Sequence, residues 1–309
     1  MSKKKQKVEF RYYEMPNNEI VLALLGESWI RNYSEGIECL HFHNYIEIGY
    51  CYYGMGSLIF ENESLRSGPN MFSIVPPNWP HRASSDQGTK SYWEWLYLDI
   101  EQYLKNVYKD DSLFVQGILK KIYRRPLLLH AKEHPALDNI ILNIIREMRN
   151  KDIYYRESVK GYIHAFIVEL LRLDDKEEQK AKIIKQTSRI SDALDYVREN
   201  YREEIKIRQL AHACNMSESH FRRVFLESMN MKPIEYINLI RIQKACELIK
   251  KTQISMEDVA YKVGFTTVST FNRNFKKLVG ISPYKWKQSA ENFEGKLLNY
   301  KISAQKGWQ

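Results

Sequence analysis

Residues 255–283 read SMEDVAYKVGFTTVSTFNRNFKKLVGISP, and the fold turns on this stretch. Ser255 stands three residues before Asp258, the spacing at which a hydroxyl and a carboxylate satisfy the free amides of a helix's first turn. Val259-Ala260 give that helix a small apolar face. Gly264 follows, where left-handed backbone is easiest, and Thr266 can cap a second helix. Phe271 and Phe275 are four apart and face a core, while Asn272 and Arg273 point away from it. The stretch predicts a helix, a tight turn and a second helix.

The pattern occurs once more upstream. Leu210-Ala211 matches Val259-Ala260 at an offset of 49, and Asn215-Met216 matches Gly264-Phe265. After one extra residue in the second copy the offset becomes 50. There Phe221 matches Phe271, Arg223 matches Arg273, Phe225 matches Phe275 and Pro233 matches Pro283. Self-similarity at a fixed period marks a repeated structural unit. The first copy lacks a hydroxyl cap before Ile207, but Ser217 can cap its second helix. Arg222, Arg223, Asn272 and Arg273 then lie exposed near the start of the second helices. A major groove admits one helix, and Arg and Asn contact guanine and adenine edges in pairs of hydrogen bonds.

Between the copies, Ile234, Ile237, Ile240, Ile242, Ala245 and Leu248-Ile249 give residues 233–249 a helical period. A helix of that length spans roughly 25 Å. It can hold two reading helices about one DNA turn apart, roughly 34 Å.

Ser255 through Phe265, with Phe271, Arg273, Phe275-Lys276 and Gly280-Ile-Ser-Pro283, resembles the signature of the AraC/XylS family of regulators. The resemblance covers residues 188–290. It implies base-reading positions at Ser219, Arg222 and Arg223 in the first unit, and at Val268, Ser269, Asn272 and Arg273 in the second. Val268 would offer an apolar contact, for instance to a thymine methyl. Lys276 would meet phosphate, which positions without specifying.

The first third of the chain reads as strands. Leu40 to Tyr53, Ser57–Glu61, Met71–Val75 and Trp93 to Ile100 are apolar or aromatic runs, parted by turn signals at 62–63 and 68–70. Many short strands suggest a sandwich or small barrel. His41-x-His43-x-x-x-Glu47, with Gly54, is similar to the first cupin motif, and Gly68 through Pro76-Pro77 to His81 is similar to the second. In cupin enzymes three His and one Glu hold a divalent metal, and such a set suits Fe, Mn, Ni or Zn. Sensor domains of the AraC type resemble cupins with a ligand pocket and usually no catalytic metal. The expectation is therefore that His41, His43, Glu47 and His81 line a pocket or core without a cofactor, with a bound divalent metal as the alternative. Trp29, Tyr33, Trp79, Trp93 and Trp95 are mostly core, and any at the barrel mouth would suit stacking on a sugar.

Composition fits this division. The formal charge is +9, which favours a polyanionic partner. Residues 188–290 hold eighteen basic and eleven acidic side chains. None of the four cysteines forms a C-x-x-C pair, so zinc ribbons and thioredoxin-like chemistry are not expected. No signal peptide and no membrane span are read. The expected fold class is α+β in two domains. It comprises a cupin-like sensor barrel over 1–134, a helical segment at 135–173 that the resemblance implies for dimerisation and whose apolar stripe equally suits packing on the barrel, a linker at 174–187, an all-α domain of two helix-turn-helix units over 188–290, and a tail at 291–309. The expected function is a cytoplasmic, homodimeric transcriptional activator. Its partners would be double-stranded DNA, a small-molecule effector such as a sugar, and RNA polymerase. The rival is a metal-dependent cupin enzyme with an accessory DNA-binding domain. A DNA-repair methyltransferase would need clustered zinc-binding cysteines, which Cys39 and Cys51 do not supply.

Overall fold

The computed structural model describes residues 8–11, 13, 15–16, 18–34, 40–60, 63–109, 111–180, 190–229, 231–288, 295–297, 300–303 and 307–308. The chain divides into two compact units, Tyr13–Thr187 and Ser188–Gln309, the latter grouped with Met1–Tyr12. The fold is α+β, with its strands concentrated in the first unit and helices dominating the second.

After β1 (Val8–Arg11), the first unit holds β2 (Val21–Leu24), β3 (Ile30–Arg31), β4 (Leu40–His43), β5 (Ile46–Tyr53), β6 (Gly56–Phe60), β7 (Glu63–Ser67), β8 (Met71–Val75), β9 (His81–Ser85), β10 (Ser91–Leu98) and β11 (Leu127–His130). In one sheet β4, β9, β6 and β7 are neighbours in that order; the other runs β11-β8-β5-β10-β2, with β3 also on β10. The run from Leu40 to Tyr53, read as one piece in the sequence, breaks at Asn44-Tyr45, and its two halves enter different sheets.

Side-chain alternation along a strand sends successive residues to opposite faces. Ile46, Ile48 and Tyr50 of β5, Phe72 and Ile74 of β8, and Leu96 and Leu98 of β10 share one apolar cluster with the helices. Glu47, Ser73 and Tyr97 alternate with them and are also buried. Four helices complete this cluster: α1 (Ile100–Val107), α2 (Ser112–Ile122), α3 (Pro135–Asn150) and α4 (Tyr155–Lys180). The sequence predicts helices from 135 onward, and α1 and α2 precede that point. The α3 stripe of Leu137, Ile141, Ile144, Ile145 and Met148 is buried in the cluster. Those side chains pack within the unit. Helix α4 runs to Lys180, seven residues into the stretch expected as linker; 181–187 lies outside the described residues.

The second unit holds α5 (Ser191–Asn200), α6 (Ile207–Ala213), α7 (Glu218–Met229), α8 (Pro233–Lys251), α9 (Met256–Lys262), α10 (Val268–Val279) and α11 (Pro283–Gln288). Short strands β12 (Gly295–Leu297), β13 (Tyr300–Ser303) and β14 (Gly307–Trp308) pair within the region expected as tail. The α8 helix is the connecting rod, nineteen residues long, or about 28 Å. Pro233 and Pro283 each open a helix, where the missing amide hydrogen has no partner to lose. Among the described residues no helix is long and apolar enough to cross a membrane.

Candidate nucleic-acid interface and a buried histidine–glutamate centre

The repeat seen in the sequence is reproduced in the backbone. In the α6–α7 turn, the Met216 amide donates to the Ala211 carbonyl at 2.9 Å and Asn215 to His212 at 2.9 Å. In the α9–α10 turn, Phe265 donates to Ala260 at 3.0 Å and Gly264 to Tyr261 at 3.0 Å. Asn215 has φ 54° and Gly264 φ 91°, both left-handed. Glycine is required at 264 by space as well: an added Cβ would stand 2.5 Å from the Tyr201 carbonyl oxygen.

The caps locate the extra residue. Ser217 Oγ accepts from the His220 amide at 3.4 Å, and Thr267 Oγ1 from the Thr270 amide at 3.2 Å. Thr267, not Thr266 as the sequence reading had it, is thus the counterpart of Ser217. Thr266 is the inserted residue. Ser255 caps α9 by accepting from the Asp258 amide at 3.0 Å, but the Asp258 carboxylate takes the Ser255 hydroxyl at 2.6 Å rather than a backbone amide. The first copy has half a capping box instead, with Gln209 Oε1 accepting from the Lys206 amide at 2.7 Å.

Phe221, Phe225, Phe271 and Phe275 are fully buried. A further repeated pair escaped the sequence reading. Phe225 meets Tyr236 edge-on at 5.7 Å, and Phe275 meets Trp286 edge-on at 6.4 Å, again at an offset of 50. Arg241 of α8 donates to the Tyr201 and Glu203 carbonyls, each at 2.8 Å, and lies 5.7 Å from the Phe265 ring. It ties the loop before α6 to the α9–α10 turn.

The expected contact residues fall on exposed surface. Ser219, Arg222, Arg223, Ser269, Asn272, Arg273 and Lys276 are exposed, and Val268 is half-buried. The two copies differ in charge. Arg222 is paired with Glu218 at 2.6 Å and Arg223 with Glu227 at 3.5 Å. The positions matching those glutamates are Val268 and Lys277. Among the described residues Arg273 has no ion-pair partner, and Lys277 reaches Glu235 of α8 at 3.4 Å.

The first unit brings His41, His43, Glu47 and His81 together. One ligating atom from each lies within 4.8 Å of all the others, and all four residues are buried. His41 and His43 come from β4 and His81 from β9, with His41 and His81 in register; Glu47 comes from β5 in the other sheet. His43 Nδ1 is 2.8 Å from the Tyr45 carbonyl and His81 Nδ1 2.8 Å from the Trp79 carbonyl. Their Nε2 atoms are 3.4 Å apart. The Glu47 oxygens lie 3.2 Å from His43 Nε2 and 3.1 Å from His81 Nε2. Tyr97 donates its hydroxyl to Glu47 at 2.8 Å, and Tyr13 stacks on Tyr97 with centroids 4.0 Å apart. Burial lowers the His43 pKa, with Glu47 partly opposing. Burial alone would raise the Glu47 carboxyl, but His81 and His43 outweigh it and hold it well below the usual carboxylate range.

Trp29, Tyr33, Trp79, Trp93 and Trp95 are all buried. Trp93 and Trp95 stack on each other at 5.2 Å, and Arg31 lies over Trp29 and Tyr33. Ser73 Oγ and Trp79 Nε1 are among the buried polar atoms of this unit that have no hydrogen-bond partner among the described residues.

A family model described as a helix-turn-helix domain matches residues 210–289, and one described as an AraC-like ligand binding domain matches residues 30–167. The chain is similar to an uncharacterised HTH-type transcriptional regulator of Haemophilus influenzae, at 24% identity over 79% of this chain and 85% of that protein. It is similar to the raffinose operon transcriptional regulatory protein RafR of Pediococcus pentosaceus, at 24% identity over 70% of this chain and 74% of that one. The lactose operon transcription activator of Staphylococcus xylosus is 29% identical over 32% of this chain and 35% of its own length. Among solved structures, ToxT from Vibrio cholerae with bound unsaturated fatty acid aligns over 89% of this chain and 96% of that chain, at 16% identity and a TM-score of 0.40.

Proposed function

The chain belongs to the AraC family of DNA-binding transcriptional regulators, and from this premise we propose that α7 and α10 read two successive major-groove segments of one operator. The observation that carries the reading is the duplication. Two turns with the same backbone hydrogen bonds each present polar side chains at matching exposed positions. We propose Ser219, Arg222, Arg223, Val268, Ser269, Asn272 and Arg273 as base-reading positions and Lys276 as a phosphate contact.

In the same reading the barrel unit is a sensor rather than an enzyme. Its effector is a small molecule, and a carbohydrate is the class favoured by relatives named for lactose and raffinose operons. The unpartnered Ser73 Oγ and Trp79 Nε1 are polar atoms that such a ligand could engage. Activation through RNA polymerase, homodimer formation and a cytoplasmic location complete the proposal.

Selection from a random duplex pool with the full chain tests it. A single enriched motif with two half-sites about one turn apart is expected. If about six phosphates are contacted, affinity should fall roughly a thousandfold between about 50 and 200 mM salt. A folded chain that enriches no motif and binds DNA without salt dependence would refute the reading.

A further inference from the structure

We propose that the buried centre of His41, His43, Glu47 and His81 binds one divalent first-row transition metal ion. This departs from the metal-free pocket that the sequence alone favours, and the reason is the direction of the hydrogen bonds. The Tyr45 and Trp79 carbonyls can only accept, so His43 and His81 each donate Nδ1–H to them. On a neutral ring that leaves the Nε2 lone pair bare and aimed inward, whereas a protonated ring would turn Nε2–H to Glu47. The two Nε2 atoms and both Glu47 oxygens then converge, at 3.4 Å between nitrogens and 3.1–3.2 Å from nitrogen to oxygen. Lone pairs brought this close, out of water, need a positive centre among them.

The spacing suits an ion. With bonds of about 2.1 Å, a tetrahedral centre separates its ligands by roughly 3.4 Å, and adjacent positions of an octahedron lie about 3.0 Å apart. The separations among His43, His81 and Glu47 fall on these values, and a His41 ring nitrogen lies within 4.8 Å of that set. The surrounding groups have the form that metal ligands need. Each of these two imidazoles is fixed in tautomer and tilt by a carbonyl, and the carboxylate is held by Tyr97. Tyr97 itself is braced by Tyr13, whose backbone is clamped by Asn44 through hydrogen bonds of 2.8 and 2.9 Å. Three imidazoles and a carboxylate select Mn, Fe, Co, Ni or Zn over Ca or Mg, which prefer oxygen. Tyr97 is a positioning residue here, acting through Glu47.

The test is Co2+ titration of the full chain after chelator treatment, read by visible d–d absorption and by X-ray absorption at the cobalt edge. The expected result is one equivalent per chain, three imidazole ligands in the scattering pattern, and displacement by Zn2+. Glu47→Gln and His81→Gln should each weaken binding at least tenfold. Tyr97→Phe should weaken it about tenfold or more with the imidazole pattern kept, since outer-shell partners typically count for about 10- to 100-fold. The X-ray pattern of the unaltered protein decides the matter even if a variant fails to fold. No stoichiometric uptake by the folded chain would mean that protons alone hold the cluster, and fewer than three imidazoles would mean that the four side chains do not act as one ligand set. Either result overturns the proposal. The assay reads the ion and never DNA, so it stands or falls separately from the operator reading.

Discussion

At the scale of single residues, the arginines of α7 and α10, proposed to read bases, are not equivalent. Arg273 has no ion-pair partner among the described residues, whereas Arg223 must leave Glu227 before it can reach a base. Such an exposed pair is worth only about 0.3–0.5 kcal/mol. A bidentate Arg–guanine contact discriminates by roughly 1–3 kcal/mol. Arg273→Ala should therefore weaken operator binding about 5- to 150-fold, with Arg223→Ala falling in the lower part of that range. Neither should change binding to a scrambled duplex as much. Lys276→Ala should lower both affinities about equally and flatten the salt slope. Paired titrations on the two duplexes read all three, and equal losses on both for the arginines would make them phosphate clamps. The sequence exposed these residues because two copies could be laid side by side. It misassigned the cap at Thr266 because Thr266 and Thr267 carry the same hydroxyl, and only a backbone bond reveals which one is inserted. The Tyr236 and Trp286 contacts escaped because the two copies fill one role with different aromatic rings.

At the scale of elements, strands were legible but their faces were not. On β5 and β10 both faces are buried, one on the helices and one on the histidine–glutamate side, so the usual polar alternation is absent. Helix α2, by contrast, carried its signal in Val115, Ile118, Leu119 and Ile122, spaced as one face of a helix. Helix α3 is fastened to β10 by a different device. Glu94 is fully buried and accepts from Arg149 at 2.6 and 2.7 Å, from Tyr52 at 2.7 Å, from Tyr92 at 2.8 Å and from the Gly26 amide at 2.8 Å. Burial raises its pKa, but Arg149 and the tyrosines prevail and hold it below the ordinary 4.5. A depressed carboxylate stabilises the fold above its unfolded value, and that contribution fades as the pH falls through the folded one. Arg149→Met should cost about 1–3 kcal/mol at neutral pH, less than the ~3–5 of a fully buried pair because Arg149 is half exposed. Urea melts of the first unit's transition should show the difference shrinking below the carboxylate range. A difference independent of pH would mean that Arg149 acts through packing alone.

At the scale of the whole chain, the basic excess is unevenly divided between α7 and α10. The charged residues of α7 are Glu218, Arg222, Arg223 and Glu227, which cancel, while α10 carries Arg273, Lys276 and Lys277. The sequence showed where DNA binding resides because a repeat and a charge excess coincide in one hundred residues. The motif resemblance grouped His41, His43, Glu47 and His81, but the sequence put 40–53 on one run, since Asn44 is the lone turn-favouring residue in the break between β4 and β5. The rod between the readers has a consequence of its own. A helix turns about 100° per residue, and DNA about 34° per base pair. One residue inserted in α8 after Arg241 would swing the second reader by nearly three base pairs of torsion while advancing it only ~1.5 Å. Duplex spacing couples twist to rise in a different ratio, so no operator respacing can follow that movement. Such an insertion should abolish high-affinity binding on every spacing variant of the operator, whereas a mismatch of spacing alone would be rescued by one of them. The number of residues in α8 is thus a phase setting between two screws of unequal pitch.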